Sequence, residues 1–139
     1  MVIIYSSDTI RGGILTKVLK REQIDTSLIN TIVALRDSLQ KHIPKIIIID
    51  IKNSLSNEIT TLKNLAYSLK ESFIILLGEP SIIASFLNDI EAQGLDNSLG
   101  LSDPLAPDVI VSKIKESLSS KTKNNEYNLE KNLKEFLRL

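Results

Sequence analysis

The sequence predicts an α/β fold in which five parallel strands form one doubly wound sheet with helices on both faces. Short apolar segments alternate with segments of helical periodicity five times, which is the pattern of consecutive βα units. The third apolar segment, Lys45 to Ile51, is apolar on both faces, so helices are expected on both sides of it. A length of 139 residues is enough for one domain of ordinary size.

The first two βα units are predicted to lie between Val2 and His42. A first strand ends at Tyr5 and is followed by a helix that reaches about Arg21. A second, more polar strand spans Ile24 to Ile29, and a second helix ends near His42, whose charge suits a helix C-terminus. The helices are predicted from apolar residues at helical spacing: Ile14, Leu15, Val18 and Leu19 in the first, and Ile32, Leu35 and Leu39 in the second.

The remaining three units follow Pro44. The third helix carries a clear apolar stripe, and the fourth strand spans Phe73 to Leu77. Gly94 is expected to end the fourth helix. The fifth strand is predicted within Leu95 to Leu101, and Pro107 opens the last helix. The apolar stripes consist of Ile59, Leu62, Leu65, Ala66 and Leu69, then Ile82, Ile83, Phe86, Leu87 and Ile90, then Ile110, Val111, Ile114 and Leu118.

The predicted domain covers residues 1–118 and is followed by a polar linker, residues 119–125. Residues 126–139 are predicted to form an amphipathic helix, because Leu129, Leu133, Phe136 and Leu137 share one helical face. A helix of about a dozen residues is marginal in isolation. We therefore expect it to pack on the domain, on a second copy of the chain or on another protein.

Composition excludes several classes of function. Lys and Arg together number 17, as do Asp and Glu, so no global field attracts nucleic acid or an anionic membrane. The absence of Cys excludes disulfides, thiolate metal sites and Cys nucleophiles. No apolar run approaches the roughly 20 residues of a transmembrane helix, and the N-terminus lacks a signal-peptide pattern. The expected location is the cytoplasm.

The candidate site lies where the strands end, because ligands of such sheets bind at the carboxyl edge. Asp50 closes the central apolar strand, and a carboxylate buried there is costly unless something satisfies it. Asp8, which follows Ser6 and Ser7, is predicted to be the N-cap of the first helix. Gly78 and Glu79 follow the fourth strand, and Ser102, Asp103 and Pro104 follow the fifth.

Residues 1–118 resemble a receiver domain of two-component response regulators, a family of flavodoxin-like topology. The segment Pro44 to Ile51 matches the family's pattern of a proline, an apolar strand and a terminal Asp, which puts Asp50 at the phosphoacceptor position. Ala92 to Asp96 is similar to the segment that enters strand five in that family. Asp103-Pro104 falls where the family has Lys-Pro.

Four features of the family pattern, an acidic pair, a hydroxyl residue, an aromatic residue and a lysine, are replaced by other residue types in this chain. The acidic pair that holds Mg²⁺ falls on Tyr5 and Ser6, or one residue later on Ser6 and Ser7. The hydroxyl residue after strand four falls on Leu77 or Gly78. The aromatic switch residue of strand five falls on Ser98 or Gly100, and the lysine falls on Asp103.

The resemblance implies a pocket around Asp50 lined by Ser6, Ser7, Asp8, Leu77, Gly78 and Asp103. Asp8 and Asp50 are weak candidates for a metal site, and no cofactor is expected unless phosphorylation of Asp50 brings Mg²⁺. Phosphoryl transfer relies on metal and cationic groups that neutralise the transferring oxygens. A negative charge at Asp103 would oppose it.

The predicted function is therefore that of an atypical receiver domain: a phosphorylation-independent protein-interaction module and not an enzyme. Its expected partner is a signalling protein such as a histidine kinase or an effector. A homodimer through the face of helix four, strand five and helix five, or through the C-terminal helix, is also expected. Two alternatives remain open. One is a working receiver phosphorylated on Asp50 by a histidine kinase, and the other is a small flavodoxin-like ligand-binding domain or enzyme.

Overall fold

A computed structural model of the chain describes residues 1–102 and 106–118. Asp103, Pro104, the predicted linker and the predicted C-terminal helix lie outside the described residues. The chain divides into two compact units, Met1–Pro107 and Asp108–Leu139. The first unit contains the whole sheet, and the second is described over residues 108–118.

The predicted order of strands and helices is confirmed. The elements are β1 (Val2–Ser6), α1 (Thr9–Arg21), β2 (Thr26–Ile29), α2 (Ile32–Lys41), β3 (Ile46–Asp50), α3 (Ser56–Ala66), β4 (Phe73–Gly78), α4 (Pro80–Ala92) and β5 (Ser98–Ser102). Residues 107–118 form a further helix, α5. None of the helices in the described ranges is long and apolar enough to cross a membrane.

The five strands form one parallel sheet, as predicted, and their order in it is β2-β1-β3-β4-β5. Ser6 of β1 pairs with Asp50 of β3, and Asp50 pairs in turn with Leu77 of β4. Gly78 of β4 pairs with Ser102 of β5. This register brings the ends of β1, β3 and β4 together around Asp50.

Alternation along the strands produces a buried layer on each side of the sheet. On one side, Ile3, Tyr5, Ile47 and Ile49 belong to a cluster completed by residues of α2, α3 and α4. On the other side, where α1 packs, the strands contribute residues such as Ile48. Full burial of each aliphatic side chain contributes about 1.5–3 kcal/mol before conformational entropy is deducted. β3 therefore lies between two buried layers, as its apolar character on both faces predicts.

Several boundaries differ slightly from the sequence prediction, and strand pairing explains where β2 and β5 begin. β2 begins at Thr26 because that residue pairs with Val2, the first residue of β1. β5 begins at Ser98, which pairs with Ile74. The preceding Leu95 is buried but lies outside the strand, after a left-handed turn at Gly94 with a φ of +89°. α3 ends at Ala66, so Leu69 of the predicted stripe is buried beyond the helix end.

Candidate functional site

Asp50 lies at the carboxyl edge of the sheet, between the ends of β1 and β4. It is buried, with 3% of its surface exposed. A buried carboxylate is costly unless hydrogen bonds and an opposite charge satisfy it. The contacts of Asp50 therefore decide what this edge of the sheet can do.

Arg11, on the first turn of α1, satisfies the charge of Asp50. Its Nε donates to Asp50 Oδ2 at 2.8 Å, and its Nη2 donates to Asp50 Oδ1 at 3.1 Å. The arginine side chain is 13% exposed and the aspartate side chain 2%. Paired donation by a planar guanidinium to both oxygens of a carboxylate is the strong, geometrically specific form of this interaction.

Two further donors complete the hydrogen bonding of Asp50. The Ser6 hydroxyl lies 2.9 Å from Asp50 Oδ2 and also 2.9 Å from the carbonyl oxygen of Asp8. The backbone N–H of Lys52 donates to Asp50 Oδ1 at 3.3 Å. Each carboxylate oxygen thus faces a nitrogen of Arg11 and one other donor. The sequence predicted that a carboxylate buried here needs partners, but it did not predict the guanidinium.

Asp8 is the N-cap of α1, as the sequence predicts. Its Oδ1 accepts from the backbone N–H of Ile10 at 3.0 Å and of Arg11 at 3.1 Å. Its Oδ2 accepts from the Asn53 side chain at 3.1 Å, which ties the β1–α1 loop to the β3–α3 loop. The bond from the Arg11 amide, more than any other contact, lowers the pKa of Asp8 below its ordinary value.

These residues do not fit the Mg²⁺ ion that the resemblance to receiver domains implies. Mg²⁺ needs carboxylate or water oxygens in octahedral geometry. Both oxygens of Asp50 face Arg11, which supplies a positive charge of its own, and both oxygens of Asp8 accept bonds from amide groups. Ser7 is exposed. Among the described residues, no three His, Asp or Glu side chains are grouped to hold a metal ion.

The neighbouring end of β4 is apolar and closely packed. Leu77 is 2% exposed, and its carbonyl accepts from Ile51 N–H at 2.9 Å. A Cβ at Gly78 would lie 3.0 Å from Ile51 Cγ1 and 3.4 Å from Lys52 N. The segment that follows Asp50 therefore occupies the space that a side chain at Gly78 would need. Neither Leu77 nor Gly78 offers a hydroxyl.

At Gly100, β5 also lacks space for a side chain. A Cβ at Gly100 would lie 2.3 Å from Ile83 Cγ2 and 3.1 Å from Leu87 Cδ1, both on α4. α4 thus packs directly on the backbone of β5. Ser98, the other candidate for the aromatic switch position, is partly buried in the same strand.

Tyr5 lies on the opposite side of β1 from Ser6 and contacts α3. Its hydroxyl donates to Glu58 Oε1. Burial of the phenol, together with the hydrogen bond and the negative charge of Glu58, raises the pKa of Tyr5 above its ordinary value.

Glu58 also lines a shallow surface groove of about 440 Å³ between α2 and α3, together with Ile32, Arg36, Leu55, Asn57 and Thr61.

Sequence reasoning identified Asp50, Ser6 and Asp8, which the structure brings together, but it missed Arg11. A signal was available. Arg11 lies on the N-terminal turn of α1, where the helix dipole disfavours a cation. A basic residue at that position therefore indicates that an anion lies nearby. Asp103, the remaining pocket residue of the prediction, lies outside the described residues.

Comparison with solved structures identifies the fold of the chain. No protein-family model matches the chain, and no curated protein matches its sequence. Among solved structures, a response regulator receiver domain protein from Methanospirillum hungatei is 19% identical with a TM-score of 0.68, over 88% of this chain and 96% of that one. A response regulator from Thermotoga maritima is 10% identical with a TM-score of 0.67, over 86% of this chain and 97% of that one. A receiver domain from Bermanella marisrubri is 16% identical with a TM-score of 0.65, over 84% of this chain and 96% of that one. The chain therefore has the fold of response regulator receiver domains.

Proposed function

We propose that this chain is an atypical receiver domain that acts by binding another protein, without phosphorylation of Asp50. The observation that carries the proposal is the buried ion pair in which the Arg11 guanidinium faces both oxygens of Asp50. This pair supplies from within the chain the positive charge that a receiver obtains from a metal ion.

The ion pair opposes the first step of phosphorylation. An aspartyl nucleophile must present a free oxygen to the phosphorus, while a metal ion neutralises the transferring group. Both oxygens of Asp50 already face two donors each. To free one, Arg11 would have to leave a carboxylate that is almost fully buried, and an unpaired buried charge is strongly unfavourable.

The packing around β4 and β5 opposes the second step, in which the phosphoryl group changes the conformation. Leu77 and Gly78 offer no hydroxyl to bind it, and the contact between Ile83 and Gly100 leaves no space beside β5 for a rotating aromatic ring. A switch needs two arrangements of comparable free energy. This region is packed for one arrangement.

The partner that we propose is a signalling protein such as a histidine kinase or an effector, met in the cytoplasm. The proposal includes no enzymatic activity and no cofactor. The Lys63–Asp89 ion pair, with an N–O distance of 2.6 Å, joins α3 to α4 and helps to hold a fixed surface for such a partner. A fixed surface lowers the entropy cost of association.

Intact-mass spectrometry and thermal denaturation test the proposal. The folded chain is treated with acetyl phosphate, and separately with beryllofluoride, with Mg²⁺ or with EDTA. Asp50→Asn is the matched variant. A receiver that carries the complete acidic pair, hydroxyl residue and lysine is the positive control. We expect no mass gain and no change of melting temperature in this chain under conditions that modify the control.

A Mg²⁺-dependent gain of one phosphoryl group that disappears in Asp50→Asn would overturn the proposal. The chain would then be a phosphorylation switch. A gain that persists in Asp50→Asn would indicate modification elsewhere and would leave the proposal standing.

A further inference from the structure

We propose that the groove between α2 and α3 is a self-association surface that joins two copies of this chain about a twofold axis. The α2–α3 groove is lined by Ile32, Arg36, Leu55, Asn57, Glu58 and Thr61 and has a volume of about 440 Å³. The inference rests on the side chains of this surface and does not depend on the chemistry at Asp50.

The groove has an apolar projection at its rim. Leu55, the N-cap residue of α3, is 71% exposed, and Val33 at the start of α2 is 67% exposed. Ile32, which also lines the groove, is half-buried and packs against the core. Aliphatic side chains this exposed, next to a concave surface, are the features of a contact site.

The charges of the groove suit a second copy in particular. Arg36 is exposed on α2, and Glu58 lies opposite on α3. Within the described ranges, Arg36 has no ion-pair partner. An isologous interface uses one patch twice, so the patch must contain both members of each interacting pair. Here a twofold axis would bring Arg36 of each copy to Glu58 of the other and Leu55 of each copy into the other's groove.

Two further features favour association of identical chains. The chain has a formal net charge of zero, so two copies do not repel each other through their overall charge. The loop that ends in Leu55 is held at its base, because Lys52 N–H donates to Asp50 and the Asn53 side chain donates to Asp8. A loop that is already ordered loses little entropy on binding.

Sedimentation velocity over a concentration series tests the inference with the full chain. Six residues line the groove, fewer than the roughly 20–30 residues a side of a standard interface, so we expect a reversible dimer with a dissociation constant of roughly 10–500 μM. Leu55→Asp should raise that constant at least about tenfold. Ile10→Asp is the matched control, because Ile10 is 75% exposed on α1, and it should leave the constant unchanged.

Charge reversal identifies the pairing. Arg36→Glu alone should weaken the dimer, because two carboxylates would then face each other, and Glu58→Arg alone should weaken it for the corresponding reason. An equimolar mixture of the two variants should restore association, since both charge pairs across the mixed interface then join a carboxylate to a guanidinium. Leu55→Asp leaves the Tyr5–Glu58 hydrogen bond intact, so it decides the question if Glu58→Arg does not fold.

Three outcomes would overturn the inference. The first is a wild-type chain that stays monomeric up to about 1 mM. The second is a dimer that Leu55→Asp leaves unchanged, which would assign association to another surface, such as the predicted α4–β5–α5 face or the C-terminal segment. The third is equal weakening by Leu55→Asp and Ile10→Asp.

Discussion

The carboxyl edge of the sheet has two halves, one held together by polar contacts and the other by apolar packing. In the β1–β3 half, the polar groups of Ser6, Asp8, Arg11 and Asp50 form one hydrogen-bonded network. In the β4–β5 half, around Leu77, Gly78 and Gly100, the space is filled by apolar contacts instead. The first half binds the carboxylate of Asp50 through charge and hydrogen bonds, whereas Leu77, Gly78 and Gly100 in the second half carry no polar side chain.

The carboxyl edge of this sheet is therefore stabilised by charge in one half and by apolar packing in the other, and the segment after Asp50 contacts both halves. A buried ion pair depends on both partners, so losing either one leaves an uncompensated charge. A packed contact depends on volume, so it is disturbed by a single added methyl group. Three substitutions test these two halves and a fourth tests a contact outside them; they follow in order of decreasing expected effect.

Arg11→Met should have the largest effect, because it leaves Asp50 charged and buried without its cation. We expect a loss of about 3–5 kcal/mol in the free energy of unfolding, measured by urea denaturation at pH 7. Arg11→Met combined with Asp50→Leu should recover most of that loss, since it removes both charges. A loss below about 1 kcal/mol for Arg11→Met would show that the ion pair does not close this half.

Gly100→Ala tests the packed half. The added Cβ would lie 2.3 Å from Ile83 Cγ2, so α4 must shift, and we expect a loss of about 1–3 kcal/mol. Ile83→Ala creates a cavity of its own, at a cost of about 2–5 kcal/mol. In the double variant the total loss should be clearly less than the sum of the two, because the new methyl group fills part of the cavity. Strict additivity, measured by urea denaturation, would contradict the close contact.

Tyr5→Phe tests a contact outside both halves, the bond from the Tyr5 hydroxyl to Glu58. Its loss should lower stability by about 1 kcal/mol at pH 8. The raised pKa of Tyr5 fixes the sign of the pH dependence. The unfolded chain ionises above about pH 10 while the folded chain stays protonated, so the wild type loses stability there. The gap between wild type and variant should therefore narrow from about pH 8 to about pH 11, and a widening gap would refute this assignment.

Asp8→Asn should have the smallest effect at neutral pH, because Asn is as good an N-cap as Asp. The lowered pKa of Asp8 means that its contribution is present above the unfolded pKa of about 3.9 and is lost as the pH falls through the lower folded value. Urea midpoints of the wild type should therefore fall more steeply than those of Asp8→Asn below about pH 4. If the urea midpoints of the wild type and of Asp8→Asn fell equally with decreasing pH, Asp8 would not be held as an anion in the folded chain.

Local patterns in the sequence were sufficient for much of this molecule. The alternation of apolar runs and helical stripes predicted the order of the nine elements in the first unit, because each periodicity reflects a few neighbouring residues. The Asp8 N-cap was predictable for the same reason, since its bonds reach only two and three residues along the chain. The end of the central strand located Asp50.

The long-range contacts of Asp50 and Tyr5 could not be predicted from local patterns in the sequence. Arg11 and Asp50 are 39 positions apart, and Tyr5 and Glu58 are 53 positions apart. The approach of Ile83 to Gly100 depends on how α4 packs on β5. The strands, the helices and the position of Asp50 could be predicted because they follow from local propensity and periodicity. The guanidinium that faces Asp50 could be identified from the folded chain alone, because folding brings such distant side chains within hydrogen-bonding distance.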